Sequence, residues 1–147
     1  MIRKHGSAVW KGDLKSGTGT VSTESGALEA QPYGFNTRFE GQAGTNPEEL
    51  VGAAHASCFS MALSMILGEA GFTAQEIRTR ATVNMDKEDG GFAVKSVHLD
   101  VEAVVQGASE EAFRDAATTA KENCPISKLL SAEITMEAAL KPVLTAA

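Results

Sequence analysis

Residues 46–71, NPEELVGAAHASCFSMALSMILGEAG, form the longest uninterrupted apolar run of the chain. Asn46 can cap a first turn, and Pro47 suits the first helical position, where a missing N–H costs nothing. Glu49 lies three residues after the cap, as in a capping box with Asn replacing the usual Ser or Thr. Gly71 follows the last apolar turn as a stop. The stretch therefore predicts a helix over Asn46–Gly71. Its centre carries Cys58, one of only two cysteines in the sequence.

A chain of 147 residues is expected to form one domain, 1–147, with a substantial core. The net charge of -6 argues against nucleic acid or an anionic membrane as partner. No basic tract, low-complexity tail or internal repeat is present. The opening MIRKHGSAVWKG is basic but has no apolar segment behind it, so no secretory signal is expected. Residues 50–67 carry no Asp, Glu, Lys or Arg and reach the lower edge of membrane-spanning length. Their Gly, Ala and Ser content and His55 favour a buried helix instead. Two cysteines without an export signal point to a reducing, cytoplasmic setting, where a structural disulfide is disfavoured. A redox pair and two inert buried thiols are both open readings.

Before the helix, residues 7–23 read as a hairpin: Ala8-Val9-Trp10, a turn at Lys15-Ser16-Gly17, then Thr18–Thr23. Ser25-Gly26 is a second turn. Residues 31–46, QPYGFNTRFEGQAGTN, read as a long irregular loop broken by Pro32 and by Gly34, Gly41 and Gly44. Tyr33, Phe35 and Phe39 within it predict either a satellite core or a pocket wall. After the helix, Ile77, Thr79, Ala81, Val83 and Met85 alternate with polar residues as a strand with one buried face. Asp89-Gly90 marks a hairpin turn. Val97, Leu99, Val101 and Ala103 continue on the returning strand. Phe92 and Val94 fall on the wrong parity, so a bulge is expected near Lys95. Ser109 caps a helix over Glu110–Asn123, with Phe113, Ala116, Ala117 and Ala120 inward. Pro125 starts a short new helix, and Ile134, Met136, Ala138 and Leu140 line a last strand.

This order is not a run of βαβ units, so it reads as α+β: antiparallel sheets packed on two main helices. The helix over Asn46–Gly71 is apolar nearly all round, more than one sheet can cover. It must lie between two layers or against a second subunit.

Chemistry can come from few residues. Cys58 sits three turns inside its helix, beyond reach of the helix dipole, and burial would leave it a protonated thiol. It is a packing residue unless the fold supplies a cation. Cys124, just before Pro125, occupies an N-cap-like position where free N–H groups favour a thiolate, or it too packs. Arg38, among the loop aromatics, is the best candidate cation, with Glu48 as its carboxylate partner; both also read as ordinary surface charges. His55 and Cys58, with Cys124 and His98, form only a loose zinc set, and Ser57 or Ser60 with His55 lacks the turn of a serine nucleophile.

The motifs NPEEL with Cys58 ten residues after Glu48, Asn123-Cys124-Pro125-Ile126-Ser127, TVSTESG (20–26) and PYGFNTRFEG (32–41) together resemble the osmotically inducible protein C / organic hydroperoxide resistance (OsmC/Ohr) family, in its OsmC branch. The resemblance spans essentially the whole chain. It implies a thiol-dependent peroxidase that reduces organic hydroperoxides, and hydrogen peroxide less well, in oxidative and osmotic stress defence. It implies an intertwined homodimer with sites at the subunit interface. Carried over, Cys58 is the peroxidatic cysteine, Cys124 the resolving cysteine, Arg38 the activating cation and Glu48 its partner. A pocket of Tyr33, Phe35, Phe39, Met61 and Met65 would hold the organic tail. The implied reductant is an external, lipoyl-type dithiol, with no metal or bound cofactor. A non-catalytic stress protein that binds apolar ligands is the competing expectation.

Overall fold

A computed structural model of the chain describes residues 1–143. They form two compact units, one of Met1–Leu50 and one that begins at Val51.

The first unit is a three-stranded antiparallel sheet, β1 (Gly6–Lys11), β2 (Thr18–Thr23) and β3 (Gln31–Tyr33), followed by a short helix α1 (Phe35–Phe39). The expected hairpin is present. Its turn is held by Asp13, whose Oδ1 accepts from the Ser16 N–H and hydroxyl, each at 2.7 Å. The expected irregular loop is more ordered than its glycines suggest. Pro32 lies on an edge strand, where its missing N–H breaks no ladder bond. Gly34 closes onto Thr37, donating its N–H to Thr37 Oγ1 at 3.0 Å, and starts the single turn of α1. Gly19, on the central strand, is opposite Trp10 on one side and Tyr33 on the other. A Cβ there would lie 2.6 Å from both rings, so only glycine lets them meet, at a centroid distance of 5.7 Å.

Helix α2 (Pro47–Glu69) starts and stops where its caps predict. The Glu49 N–H donates to Asn46 Oδ1 at 2.8 Å. The return bond that a capping box would take from the Glu49 side chain is not made. At the other end Gly71 has φ 90°, and the bonds Gly71 N–H to Gly68 O and Phe72 N–H to Leu67 O close a Schellman motif.

The second unit holds the rest of α2 and a sheet in the order β4 (Ala74–Glu88), β5 (Gly91–Val105), β6 (Glu133–Leu140). β4 and β5 turn at Asp89-Gly90, with Gly90 at φ 93°. Their register shifts between Asn84 and Met85, which leaves Lys95 as the extra residue of the expected bulge. Helix α3 (Glu110–Asn123) is capped by Ser109, whose Oγ accepts from the Ala112 N–H at 3.1 Å. Helix α4 (Pro125–Leu129) follows directly.

The expectation of purely antiparallel sheets needs correcting, because β6 pairs parallel with β5. The reason is the connection. α3 and α4 carry the chain back along the sheet, and a strand entered through such a crossover runs parallel to the one it left. The second sheet is therefore mixed, within an α+β fold.

The core joins one stripe of α2 (Phe59, Leu63, Leu67) to Val97, Leu99 and Val101 of β5 and to Phe113, Ala117 and Ala120 of α3. Fully burying each large side chain contributes about 2 kcal/mol. Cys58, Ala62 and Ile66 flank that stripe half-buried, whereas Met61 and Met65 are 77% and 60% exposed. By length and composition alone the helix could cross a membrane. Gly52 and His55 continue the buried stripe toward the N-terminus.

Two outcomes follow from this packing. A Cβ on Gly52 would sit 3.0 Å from the Ala81 carbonyl oxygen of β4, so Gly52→Val is expected to destabilise by about 1–3 kcal/mol, seen as a lowered urea midpoint. Burial also lowers the pKa of His55 below its ordinary 6.5. The unfolded chain then binds this proton more readily than the folded one. The contribution of the neutral ring is present above pH 6.5 and lost as the pH falls from there through the depressed folded value. The fall in Tm on acidification should accordingly be shallower in His55→Gln.

Candidate active site

The site residues form two groups, one inside each unit. In the first unit, Arg38 on α1 faces Glu48 in the first turn of α2. Nε lies 3.1 Å from both carboxylate oxygens, and one terminal nitrogen is 2.7 Å from Oε1. This two-nitrogen grip fixes the plane of the guanidinium as well as its position. The Arg38 guanidinium also lies 5.1 Å over the Phe39 ring. The side chains are 37% and 16% exposed, so the pair contributes little to stability and mainly orients the cation.

Beside it is a cavity of about 260 Å3 lined by Trp10, Leu14, Tyr33, Gly34, Phe35, Arg38 and Phe39. Three of the expected pocket residues, Tyr33, Phe35 and Phe39, are thus together with the guanidinium. Trp10 and Leu14, which the sequence reading missed, join them; for Trp10 the signal was the register of β1 opposite β2, while Leu14 lies in the turn after β1. Met61 and Met65 are not among the lining residues and stand exposed on α2.

In the second unit, Cys58 and Cys124 are neighbours. Cys124 is buried at 1% exposure and Cys58 is half-buried. Pro125 holds the preceding Cys124 in an extended conformation, φ -62° and ψ 140°, which makes it the N-cap of α4. The Ser127 N–H donates to Cys124 Sγ at 3.3 Å, as the N-cap reading predicts. Burial raises the pKa of Cys58, a backbone hydrogen bond from Ile126 lowers it, and hydrogen bonding and charge from Cys124 raise it again. The net direction is up, as expected for a thiol on an apolar helix. Among the described residues of this unit, no cation contributes to the shift.

The weaker expectations resolve differently. Ser57 donates to Ala54 O, while Ser60 bonds Ala56 O and Thr79. Neither pairs with His55. The partner of His55 is Ser127, with Nε2 and Oγ 2.8 Å apart. Ser127 was missed because 72 residues separate the two, and no local spacing reports such a contact. His98 does not group with the cysteines. It lies on β5 with Nδ1 2.6 Å from Thr135 Oγ1 and Nε2 3.3 Å from Asp100. There His98, Asp100 and Glu137 bring their possible ligand atoms within 4.8 Å of one another.

Comparison with known proteins accords with this arrangement. Residues 39–139 match the family model described as OsmC-like protein. The chain is 59% identical over 140 residues to peroxiredoxin OsmC of Escherichia coli (strain K12), covering 95% of this chain and 98% of that one. It is 32% identical over 124 residues to organic hydroperoxide resistance protein OhrB of Bacillus subtilis (strain 168), covering 84% and 89%. The crystal structure of the Bacillus subtilis OhrB superimposes with a TM-score of 0.69 at 27% identity, covering 93% of this chain and 98% of that one. The motifs around Cys58 and Cys124, the α+β architecture and these similarities agree: the chain belongs to the OsmC family.

Proposed function

We propose that the protein is a cysteine-based peroxidase that reduces organic hydroperoxides to alcohols, and hydrogen peroxide less well. The observation that carries this reading is the placement of Cys124 against Cys58, in a chain 59% identical to a peroxiredoxin. The Cys58 thiolate attacks the terminal oxygen of the hydroperoxide. The O–O bond breaks, the alkoxide leaves as alcohol after taking up a proton, and Cys58 becomes a sulfenic acid. Cys124 condenses with the sulfenic acid to form a disulfide and water. An external dithiol, of lipoyl type, returns both thiols by exchange.

The surroundings of Cys58 in its own unit push its pKa up, so the reaction needs a cation. Arg38 supplies it, held in orientation by Glu48. Assembly as an intertwined homodimer would complete the site, and the exposed Met61 and Met65 on α2 support a covered interface. In this reading Tyr33, Phe35, Phe39, Met61 and Met65 bury the organic tail, which favours alkyl and lipid peroxides. A reduced cysteine pair suits the cytoplasm.

Two experiments test this. Cumene hydroperoxide consumption with dihydrolipoamide should vanish in Cys58→Ser, whereas Cys124→Ser should complete a single turnover and then stall. Retained turnover in Cys58→Ser would overturn the assignment. In Arg38→Ala the alkylation of Cys58 should move to higher pH, since the thiolate loses its counter-charge; an unchanged titration would remove Arg38 from the site.

A further inference from the structure

The second unit contains a polar chain that the peroxidase reading leaves unused. Cys124 Sγ donates to Ser127 Oγ at 3.1 Å, and Ser127 Oγ is 2.8 Å from His55 Nε2. All three side chains are buried: Cys124 is 1%, Ser127 6% and His55 0% exposed. They come from α2, the α3–α4 junction and α4. A buried imidazole in an apolar core is costly unless its nitrogens are satisfied. Among the described residues Nδ1 has no hydrogen-bond partner, and the polar group that His55 addresses is Ser127. Ser127 in turn addresses Cys124 twice, through its hydroxyl and its N–H. The ring therefore has one direction of action, toward the Cys124 sulfur.

We infer that Ser127 and His55 form a proton relay that deprotonates Cys124 when it attacks Cys58 and reprotonates it when the disulfide is reduced. This rests on the two-cysteine reading above. As the Cys124 sulfur attacks, its proton passes to Ser127 Oγ, and the Ser127 proton passes to His55 Nε2. The sulfur–sulfur bond forms as the S–O bond of the Cys58 sulfenic acid breaks. Cys58 sulfur is reduced, Cys124 sulfur is oxidised, and the departing hydroxide with the proton held on His55 balances as one water. On reduction, a dithiol attacks Cys58, Cys124 leaves as thiolate, and the proton returns along the same path. Ser127 touches the reacting sulfur; His55 is a positioning residue acting through it. The relay serves a sulfur that is only 1% exposed and whose hydroxyl neighbour is Ser127.

The test can be made without a peroxide. Dithiobis(nitrobenzoate) reacts first at the more accessible Cys58, releasing one coloured thiolate and leaving a mixed disulfide. Attack by Cys124 then releases the second. In the full-length protein the second phase should slow relative to the first by about tenfold or more in His55→Gln and in Ser127→Ala. Ser127→Thr, which keeps the hydroxyl, should restore it. Gln keeps a hydrogen-bonding group near Ser127 but takes up no proton, so a merely structural histidine would leave the ratio unchanged in His55→Gln. An unchanged ratio in both variants, or no second phase in the wild type, would overturn the relay. Cumene hydroperoxide is run in parallel, with sulfenic acid and disulfide read by mass. Two normal phases with the aromatic disulfide but no oxidation by hydroperoxide would sink the peroxidase reading and leave the relay standing.

Discussion

The parallel return of β6 beside β5 is the constraint from which the chemistry of the second unit follows. To reach that register the chain must cross the sheet through α3 and α4. The crossover has to bend between its two helices, and Pro125 makes the bend. The residue before the proline is forced into an extended conformation and becomes a cap. That residue is Cys124. Its neighbour is Cys58, at the edge of the packed stripe of α2, and Phe113, Ala117 and Ala120 hold α3 close enough for the two sulfurs to interact. Small residues on α3 thus serve the chemistry indirectly, by setting how near a helix can approach.

Burial and activation oppose one another at Cys58. The apolar packing that orders α2 also disfavours a thiolate on it. The chain separates these demands in sequence. Order is provided by the second unit, while the charged pair Arg38–Glu48 is built in the first, on a short helix beside an aromatic cavity. The guanidinium is gripped by its carboxylate yet still more than one-third exposed. It keeps donor capacity that a fully buried salt bridge would have used up.

Much of this was legible in the residues. Asn46, Ser109 and Gly71 mark helix ends because capping is local chemistry, and the Lys95 bulge showed as a break in parity. Cys124 could be read as a cap from Pro125 alone. The direction of β6 was not legible, since alternation along a strand reports its faces and not its partner's polarity. Nor was the turn of α1, where Gly34 and Thr37 satisfy each other in a stretch that composition marks as loop. Ser127 was invisible for another reason. A serine in a short helix has many uses, and only the tertiary approach of His55 selects one. The pocket was half legible: aromatics in a loop announced it, but Trp10 enters only through strand register.

Trp10 is the single tryptophan of the chain. It packs against Tyr33 over Gly19 and lines the cavity of the first unit. The intrinsic emission of the protein therefore reports on the first unit, whereas most of the helical residues belong to the second. Unfolding followed by fluorescence and by far-ultraviolet circular dichroism monitors different parts of the molecule. Coincident curves would mean that the two units melt as one cooperative system; separate curves would give each its own free energy.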